Sequence, residues 1–158
     1  MYNSSKAHSI TLHSKNILFT KNWGSGSNNW DTSSIRSYLQ STFKDALPQC
    51  LQDNIATVER PHWLYNGGVF TSFDTIFLPS ICQMGSGAYN GVQECNSFSY
   101  YTDNATRIKK WNGYDSDYYL SSAGNNYDRV HRCNSDGTLG SSDGCADVRG
   151  IAPALVIV

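Results

Sequence analysis

The sequence predicts a single α+β domain, and three patterns carry that prediction. Residues 30–47 place apolar side chains at helical spacing, whereas residues 73–81 and 117–123 are short apolar runs typical of strands. The chain then closes on residues 151–158, which carry no charge and follow a stretch rich in Gly, Ser, Asn, Asp and Tyr. With 158 residues, the chain has the length of one domain with a proper core.

Composition limits the partners that this chain is expected to have. Charged residues make up 16% of the chain and the formal net charge is -1, so electrostatic binding of nucleic acid or anionic lipid is disfavoured. No apolar run approaches the ~20 residues that cross a bilayer, and the chain does not begin with the basic and then apolar pattern of a signal peptide. We therefore expect no nucleic-acid partner, no membrane insertion and no signal peptide.

The first strand is predicted over residues 9–20, with a change of face at residues 14–16. Before this change the apolar residues are at even positions, Ile10 and Leu12. After it they are at odd positions, Ile17 and Phe19, so the apolar face of the strand is reversed. A helix is predicted over residues 30–47, and Pro48 ends it. Its apolar positions are Ile35, Tyr38, Leu39, Phe43, Ala46 and Leu47. Its N-cap candidates are Asp31, Thr32 and Ser33.

Two further elements are predicted before the middle of the chain. A short helix is expected to start at Pro48 and to bury Leu51, Ile55 and Val58. Residues 73–81 predict a buried strand, whose Pro79 places it near an edge of its sheet or at its own end.

Residues 84–147 are predicted to be loop-rich. Seven of the ten tyrosines lie in this region, mixed with Gly, Ser and Asn, and neither the helical nor the strand period is present. Strands are expected at 117–123 and 128–134, with turns at 134–138 and 141–144. Long loops in a compact domain are usually functional or disordered, and the tyrosines argue against disorder. The prediction is thus one domain over residues 1–158, with residues 1–9 as a flexible or docking lead and residues 84–147 as a display region.

The five cysteines form no zinc-binding spacing, so neither a metal nor another cofactor is expected. Cys133 and Cys145 flank two turns and either pair as a disulfide or remain ordinary half-buried thiols. Asn134, Asp136 and Asp143 could suggest a calcium site, but the acidic twelfth position of an EF-hand loop is missing and Asp-Gly pairs usually mark turns. We expect turns there.

Four motifs follow one another along the chain: the Ser-Ile-Arg of residues 34–36, the Asp-x-Ile-Phe-Leu of residues 74–78 with Ser80, the Asp-Gly turn within 133–138, and the ending Pro153-Ala154. In this order they resemble a widespread family of uncharacterised domains in Gram-positive bacteria and their phages. The chain departs from the family where it has Tyr119, Leu120 and Ser121 in place of Trp-Leu-Arg, and "RGIAPA" in place of "GVRPA".

That family resembles a branch of the C-type lectin and formylglycine-generating-enzyme fold. The resemblance implies one or two helices on a small twisted antiparallel sheet, long irregular loops, and first and last strands that pair in the core. It also favours Arg36 as a partly buried partner of an acidic loop residue. Relatives usually carry an extra strand or two before residues 10–16, so either this domain is pared down or a neighbouring chain covers the exposed sheet edge. We expect a homo-oligomer, most simply a trimer, or docking on a virion protein.

Catalysis is disfavoured by the sequence. Cys133 and Cys145 do not have the close spacing of the formylglycine-generating enzymes, and His8, His13, His62 and His131 form no ligand spacing. No activating motif surrounds Ser80, Ser121 or Ser122. An enzyme of the formylglycine-generating type therefore remains only a less favoured alternative.

A binding function fits the Tyr, Asn, Ser and Gly mixture, because antibody-like paratopes use the same residues. The hypothesis is a phage virion adhesin on the virion surface, made in the host cytoplasm, that recognises a host cell-surface glycan or protein and contacts other phage structural proteins. The alternative is a structural decoration or assembly protein of the phage tail or capsid. In some proteins of this fold a diversity-generating retroelement enriches such residues, and residues 124–137 have this composition. The ligand-binding residues, expected together on one exposed end, are Tyr100, Tyr101, Tyr114, Asn125, Asn126, Tyr127, Arg129 and His131.

Overall fold

The two ends of the chain pair in a three-stranded antiparallel sheet. A computed structural model describes residues 9–24 and 26–158, with only the backbone of Ser141. Strand β12 (Ala154–Ile157) lies between β1 (Ile10–His13) and β5 (Ile76–Phe77). The register places Ile10 opposite Ile157 and His13 opposite Ala154, so the predicted pairing of the terminal strands is confirmed. Of the predicted lead at 1–9, all residues except Ser9 lie outside the described part of the chain.

A second, five-stranded sheet carries most of the loop-rich region. Its order is β10-β9-β8-β11-β2, and all neighbours are antiparallel except β8 and β11. The strands are β2 (Phe19–Asn22), β8 (Tyr118–Ala123), β9 (Arg129–Cys133), β10 (Ser141–Gly144) and β11 (Val148–Ile151). The strands predicted at 117–123 and 128–134 are therefore confirmed to within a residue or two.

The turn predicted at residues 141–144 is wrong, because these residues form β10. Asp143 lies opposite Val130 in the ladder, and its carboxylate accepts hydrogen bonds from Arg132 of β9 and Arg149 of β11. These cross-strand contacts outweigh the local turn preference of Asp-Gly. The turn comes later, where the amide of Asp147 donates to the carbonyl of Gly144. The other predicted turn, at 134–138, is confirmed by the bond from the amide of Asn134 to the carbonyl of Thr138.

The predicted helix at residues 30–47 is broken into pieces. A 3-10 turn (Trp30–Thr32) precedes α1 (Ser34–Tyr38), and a π-helical turn (Leu39–Phe43) follows it. Among the three N-cap candidates, Ser33 is the cap of α1, since its Oγ accepts from the amide of Arg36. Ile35 and Leu39 are fully buried, as the helical spacing predicts.

The next helix, α2 (Gln49–Gln52), begins after Pro48 and is shorter than predicted. Ile55 leaves the helical path and bridges to Ile157, while Val58 starts β3 (Val58–Trp63). β3 forms a hairpin with β4 (Val69–Asp74). The strand predicted at 73–81 is accordingly divided between the end of β4 and the short β5.

The remaining elements are short. A π-helical turn (Cys82–Ser86) and α3 (Asn104–Arg107) lie in the loop-rich region, followed by a hairpin of β6 (Lys110–Trp111) and β7 (Tyr114–Asp115). The core contains two clusters of buried side chains, and the adjacent Tyr118 and Tyr119 belong one to each. The structure is thus a mixed α+β domain made mainly of small antiparallel sheets with few helices.

Cys133 and Cys145 are both buried free thiols, and the other three cysteines are free as well. The sequence left open whether this pair forms a disulfide or remains as two thiols, and the structure has two thiols. Within residues 9–24 and 26–158, no helix is long and apolar enough to cross a membrane.

Candidate functional site: the display loop

The loop that joins β8 to β9 presents a group of exposed side chains. We call residues 124–129 the display loop. Asn125, Asn126, Tyr127 and Arg129 are all exposed, and Tyr127 retains 58% of its accessible surface. An exposed tyrosine beside an exposed arginine is the pair of residue types that most often supplies binding energy in protein interfaces.

The backbone of the display loop is fixed by one buried residue. The side-chain amide nitrogen of Asn28 lies 2.8 Å from the carbonyl oxygen of Asn126, 2.9 Å from that of Arg129 and 3.2 Å from that of Gly124. The backbone amide of Asn28 donates to the carbonyl of Tyr127 at 2.7 Å. Asn28 is 4% exposed, so it holds the inner side of the loop while the loop side chains face solvent.

The loop also closes on itself and on β10. The amide of Gly124 donates to the carbonyl of Arg129 at 2.7 Å, and the amide of Cys145 donates to that of Asp128 at 2.8 Å. A Cβ on Gly124 would lie 2.9 Å from the carbonyl oxygen of Arg129, so this close approach requires glycine. A loop held in this way loses little conformational entropy when it binds a partner.

An aromatic cluster supports the loop from one side. The hydroxyl of Tyr89 donates to Oδ1 of Asn125 at 2.9 Å. The Tyr89 ring packs edge-on against Trp63, with centroids 5.5 Å apart, and against His131, with centroids 4.7 Å apart. Tyr89 and Trp63 are half-buried, so they extend the surface beside the display loop.

Two of the predicted ligand-binding residues are buried, so their predicted exposure is wrong. Tyr101 is 7% exposed because its ring packs against His13 and its hydroxyl bonds Nδ1 of that residue at 2.5 Å. His131 is 4% exposed because it lies within β9, a strand with neighbours on both sides, and is covered by the ring of Tyr89. Both side chains belong to the packing of the domain and not to its surface.

Tyr100 and Tyr114 are exposed, but other elements position them. Tyr100 packs against Tyr101, and Tyr114 lies in the β6–β7 hairpin, just before β8 begins. The display loop follows the other end of β8, and a strand of six residues separates its ends by roughly 17 Å. The expectation that all eight residues share one exposed end is therefore wrong, and Asn125, Asn126, Tyr127 and Arg129 form the group that the structure brings together.

An ion-pair network fixes the strands below the display loop. The carboxylate of Asp143 accepts from Arg132 at 2.5 Å and from Arg149 at 2.6 Å, and Asp117 lies 3.4 Å from Arg132. Although burial alone would raise the pKa of Asp143, these hydrogen bonds hold it below its ordinary value. Asp143 thus acts as an anion that ties β9, β10 and β11 together, and the loop extends from this tied sheet.

Asp74 is a highly connected buried polar group, which the sequence pattern did not single out as a centre. Its carboxylate accepts from the indole of Trp30 at 2.8 Å, Nε of Arg36 at 2.6 Å, Nη1 of Arg60 at 3.3 Å and Oγ of Ser72 at 2.7 Å. The predicted ion pair of Arg36 is confirmed, although its buried partner ends a strand and is not in a loop. Four positive or polar donors on one fully buried carboxylate indicate a structural junction.

The serines considered as nucleophiles take part in buried hydrogen bonds. Oγ of Ser121 accepts from Arg60 at 2.8 Å, and Oγ of Ser80 donates to the carbonyl of Glu94. Oγ of Ser122 accepts from the amide of Ile81 and donates to the carboxylate of Glu94. Burial raises the pKa of Glu94, while the bond from Ser122 opposes that shift. Each of these hydroxyls holds two segments of the domain together.

The acidic side chains that could suggest a calcium site make other contacts. Oδ1 of Asp136 accepts from the amide and hydroxyl of Thr138, and Asp143 is paired with two arginines. Among residues 9–24 and 26–158, no group of three His, Cys, Asp or Glu side chains is placed to hold a metal ion.

The fold and this loop define a small mixed α+β domain with a rigid, exposed surface loop. The chain belongs to the family described as Domain of unknown function (DUF6273), whose profile matches residues 8–158. Comparison with curated proteins and with solved structures gave no match.

Proposed function

We propose that this domain is a non-enzymatic binding module, the receptor-binding domain of a phage virion adhesin. In this proposal it is located on the virion surface and recognises a glycan or protein on the host cell through the display loop. The motifs at residues 34–36, 74–78 and 153–154 support a relation to domains of Gram-positive bacteria and their phages. The pairing of β1 with β12 supports a C-type lectin-like fold.

One observation carries the proposal: the backbone of the display loop is held from inside while its side chains remain outside. Asn28 satisfies the carbonyls of the loop, and Tyr127 and Arg129 stay exposed. Tyrosine offers a large amphipathic contact with few rotatable bonds, and the neighbouring Asn125 and Asn126 offer adaptable hydrogen bonds. This combination favours recognition of another molecule over a purely structural loop.

A structural decoration or assembly protein is the second candidate, and the outer face of β1 favours it. Ile10 and Leu12 are 65% and 44% exposed, and they share a face with Ile157 and Leu155, their partners in register. Exposed aliphatic residues at the edge of a sheet are typical of surfaces that dock on another chain. The same face is the place where the proposed homo-oligomer, most simply a trimer, or a phage structural protein would make contact.

The first test is the binding of the fluorescently labelled domain to a panel of Gram-positive bacterial cells. Tyr127→Ala removes the aromatic contact of the display loop, and we expect at least tenfold weaker binding, since such anchors contribute about 2 kcal/mol or more. Tyr114→Ala is the matched control, because it removes a tyrosine that is even more exposed than Tyr127 and lies before the other end of β8. Both variants should keep the stability of the wild type to within about 0.5 kcal/mol.

The outcomes separate the two candidates. Binding that is lost in Tyr127→Ala and kept in Tyr114→Ala supports the adhesin. Cell binding that is equal in all three proteins rejects the display loop as the site. A wild-type domain that binds no cells of the panel but associates with phage particles supports the decoration or assembly function instead.

A further inference from the structure

A cavity of about 630 Å³ lies between the three-stranded sheet of β1, β12 and β5 (the terminal sheet), the β3–β4 hairpin and residues 93–96. Its volume is within the range of small-molecule sites, roughly 300–1,000 Å³. The display loop does not line it, so this cavity is a separate feature of the domain. Apolar side chains form much of the wall, namely Ile55, Ala56, Val58, Phe73, Phe77 and Val156.

Gln83 is a buried polar residue in this wall, and its side-chain amide is held in one orientation. Only 1% of Gln83 is exposed. Its Oε1 accepts from the backbone amide of Ser80 at 2.9 Å and from Nη2 of Arg60 at 3.2 Å. Both of these partners can only donate, so the end of the amide that faces them is the oxygen, and the other end is the NH2 group.

The NH2 group of Gln83 is left for a ligand. Its Nε2 donates to no residue in the described part of the chain, although Oε1 of the same amide makes two bonds. Polar groups that are nearly buried are usually hydrogen-bonded, and a donor without an acceptor costs free energy. An acceptor brought into the cavity by a ligand would complete the bonding of this amide.

The charges around the cavity favour a neutral acceptor. Arg60 also lies in the wall, but it is 1% exposed and its guanidinium already bonds the carboxylate of Asp74. Asp53 and Glu59 line the cavity as well, and both are exposed acids. A carboxylate inside the cavity would be buried without a free cation, which is costly, whereas a neutral carbonyl needs only one hydrogen bond.

We propose that this cavity binds an apolar small molecule with one neutral carbonyl group, of the class of medium-chain ketones and esters. The carbonyl oxygen accepts from Nε2 of Gln83, and the carbon chain packs against Val58, Phe77 and Val156. This ligand is distinct from the partner of the display loop, and the site does not depend on the proposed function.

2-Octanone is the probe, and octanoate is its matched analogue, with the same number of carbons and a charged acceptor. Titrations of the full chain are followed by NMR of the backbone amides and of the side-chain NH2 group of Gln83. We expect saturable shifts at the cavity residues and at this NH2 group, and about tenfold tighter binding of 2-octanone than of octanoate. Residues 125–129 should not respond.

Gln83→Glu tests the donor directly. Glutamate can still accept from Ser80 and Arg60, but an oxygen replaces the NH2 group. Octanol is the matched ligand, because its hydroxyl can accept from the wild-type amide and can donate to the glutamate. The variant should therefore bind 2-octanone about tenfold more weakly than the wild type does, and octanol about equally well.

Two further variants locate the cavity without changing Gln83. Thr57→Trp adds a large side chain to a residue that lines the cavity, and Thr71→Trp adds the same side chain to an exposed threonine on β4 that does not line it. Thr57→Trp should weaken 2-octanone binding about tenfold, while Thr71→Trp should bind like the wild type.

Four results would each overturn the proposal. They are the absence of saturable 2-octanone binding, equal binding of octanoate, unchanged 2-octanone binding by Gln83→Glu, and equal binding by the two threonine variants. None of these results bears on the display loop.

Discussion

At the scale of single residues, Asp74 connects segments that are far apart in the sequence. Its carboxylate accepts hydrogen bonds from Trp30 and Arg36 of the helical region, and from Arg60 and Ser72 of the β3–β4 hairpin. Removing one partner of such a buried pair is strongly destabilising, because the other charge is left without compensation. The hairpin is therefore fixed against the helical region by one side chain.

His13 shows how a pair of partly buried hydrogen bonds sets a protonation state. The carbonyl of Ala152 can only accept, so Nε2 of His13 carries the proton that bridges their 3.0 Å contact. Nδ1 is then the acceptor for the hydroxyl of Tyr101. Burial, aided by the positive charge of Lys109, lowers the pKa of His13 from 6.5 to about 3. The folded state therefore holds the neutral imidazole across the mildly acidic range.

This shift predicts a loss of stability in acid. Between the unfolded pKa of 6.5 and the folded pKa of about 3, the unfolded chain binds a proton that folded His13 does not. The free energy of unfolding should therefore fall as the pH falls through this window, by up to about 1.4 kcal/mol per pH unit for one histidine. His62 has a lowered pKa as well and should add to the slope.

Urea unfolding of the wild type and of His13→Gln at several values between pH 6.5 and pH 4 checks this prediction. Glutamine can donate and accept but does not titrate, so the variant should have a shallower dependence on pH. An identical slope in the two proteins would show that His13 titrates normally in the folded state.

Some residue-scale features could be predicted from the sequence and others could not. The family resemblance predicted an ion pair of Arg36, although not its partner in a strand, and the cap at Ser33 was one of three predicted candidates. The burial of Tyr101 and His131 could not be predicted, because tyrosine and histidine each combine an apolar ring with a polar atom. Their location depends on partners distant in sequence, here His13 and Tyr89.

At the scale of elements, the irregular helix is held to the terminal sheet by a side chain from its π-helical turn. Nε2 of Gln40 donates to the carbonyl of Ile76 at 2.5 Å, and its Oε1 accepts from the amide of Thr75 at 2.9 Å. The amide group thus bonds the backbone where β4 passes into β5.

The display loop is an element whose conformation depends on Asn28. Asn28→Ala removes the amide that faces three loop carbonyls but leaves every exposed side chain of the loop in place. We expect the domain to remain folded and to bind cells more weakly, by about tenfold, because the loop must be ordered on binding. Binding curves with the cells that the wild type recognises, together with thermal unfolding, measure the two effects.

A matched control for this variant is Asn66→Ala, which changes an exposed asparagine in the β3–β4 turn and should bind like the wild type. If Asn28→Ala binds as tightly as the wild type despite a loosened loop, the fixed conformation does not matter for recognition.

Element types were predicted better than their bounds. The terminal strands, β8 and β9 have apolar patterns strong enough to define them, whereas β10 does not. Residues 141–144 contain Ser, Asp and Gly, which locally favour a turn, and only the contacts of Asp143 with Arg132 and Arg149 make them a strand. The helix predicted over 30–47 is interrupted for a similar reason, since contacts with neighbouring strands outweigh local spacing.

At the scale of the whole molecule, one sheet pairs the terminal strands and a second sheet carries the display loop. The terminal sheet brings β1 and β12 together and buries the apolar end of the chain, where Ala154 and Val156 are 1% exposed. The five-stranded sheet holds the display loop between β8 and β9. The tyrosine-rich composition of residues 84–147 serves both purposes, because Tyr118 and Tyr119 are fully buried and Tyr127 is exposed.

This division explains why the composition of the region does not distinguish its buried tyrosines from its exposed ones. Tyrosines are equally suited to a core with hydrogen-bonded hydroxyls and to a contact surface. Tyr118 donates to the carbonyl of Arg107 and Tyr119 to that of Gly144, which are structural bonds. The sequence lacks a signal that separates these tyrosines from Tyr127.

The most direct test of the proposed surface is amide hydrogen exchange of the domain, with and without cell-wall fragments from a bacterium that it binds. We predict slower exchange in residues 125–129 when the fragments are present, and unchanged exchange in residues 110–116 of the β6–β7 hairpin. Protection confined to residues 110–116, or to the terminal strands at 10–13 and 154–157, would contradict recognition through the display loop.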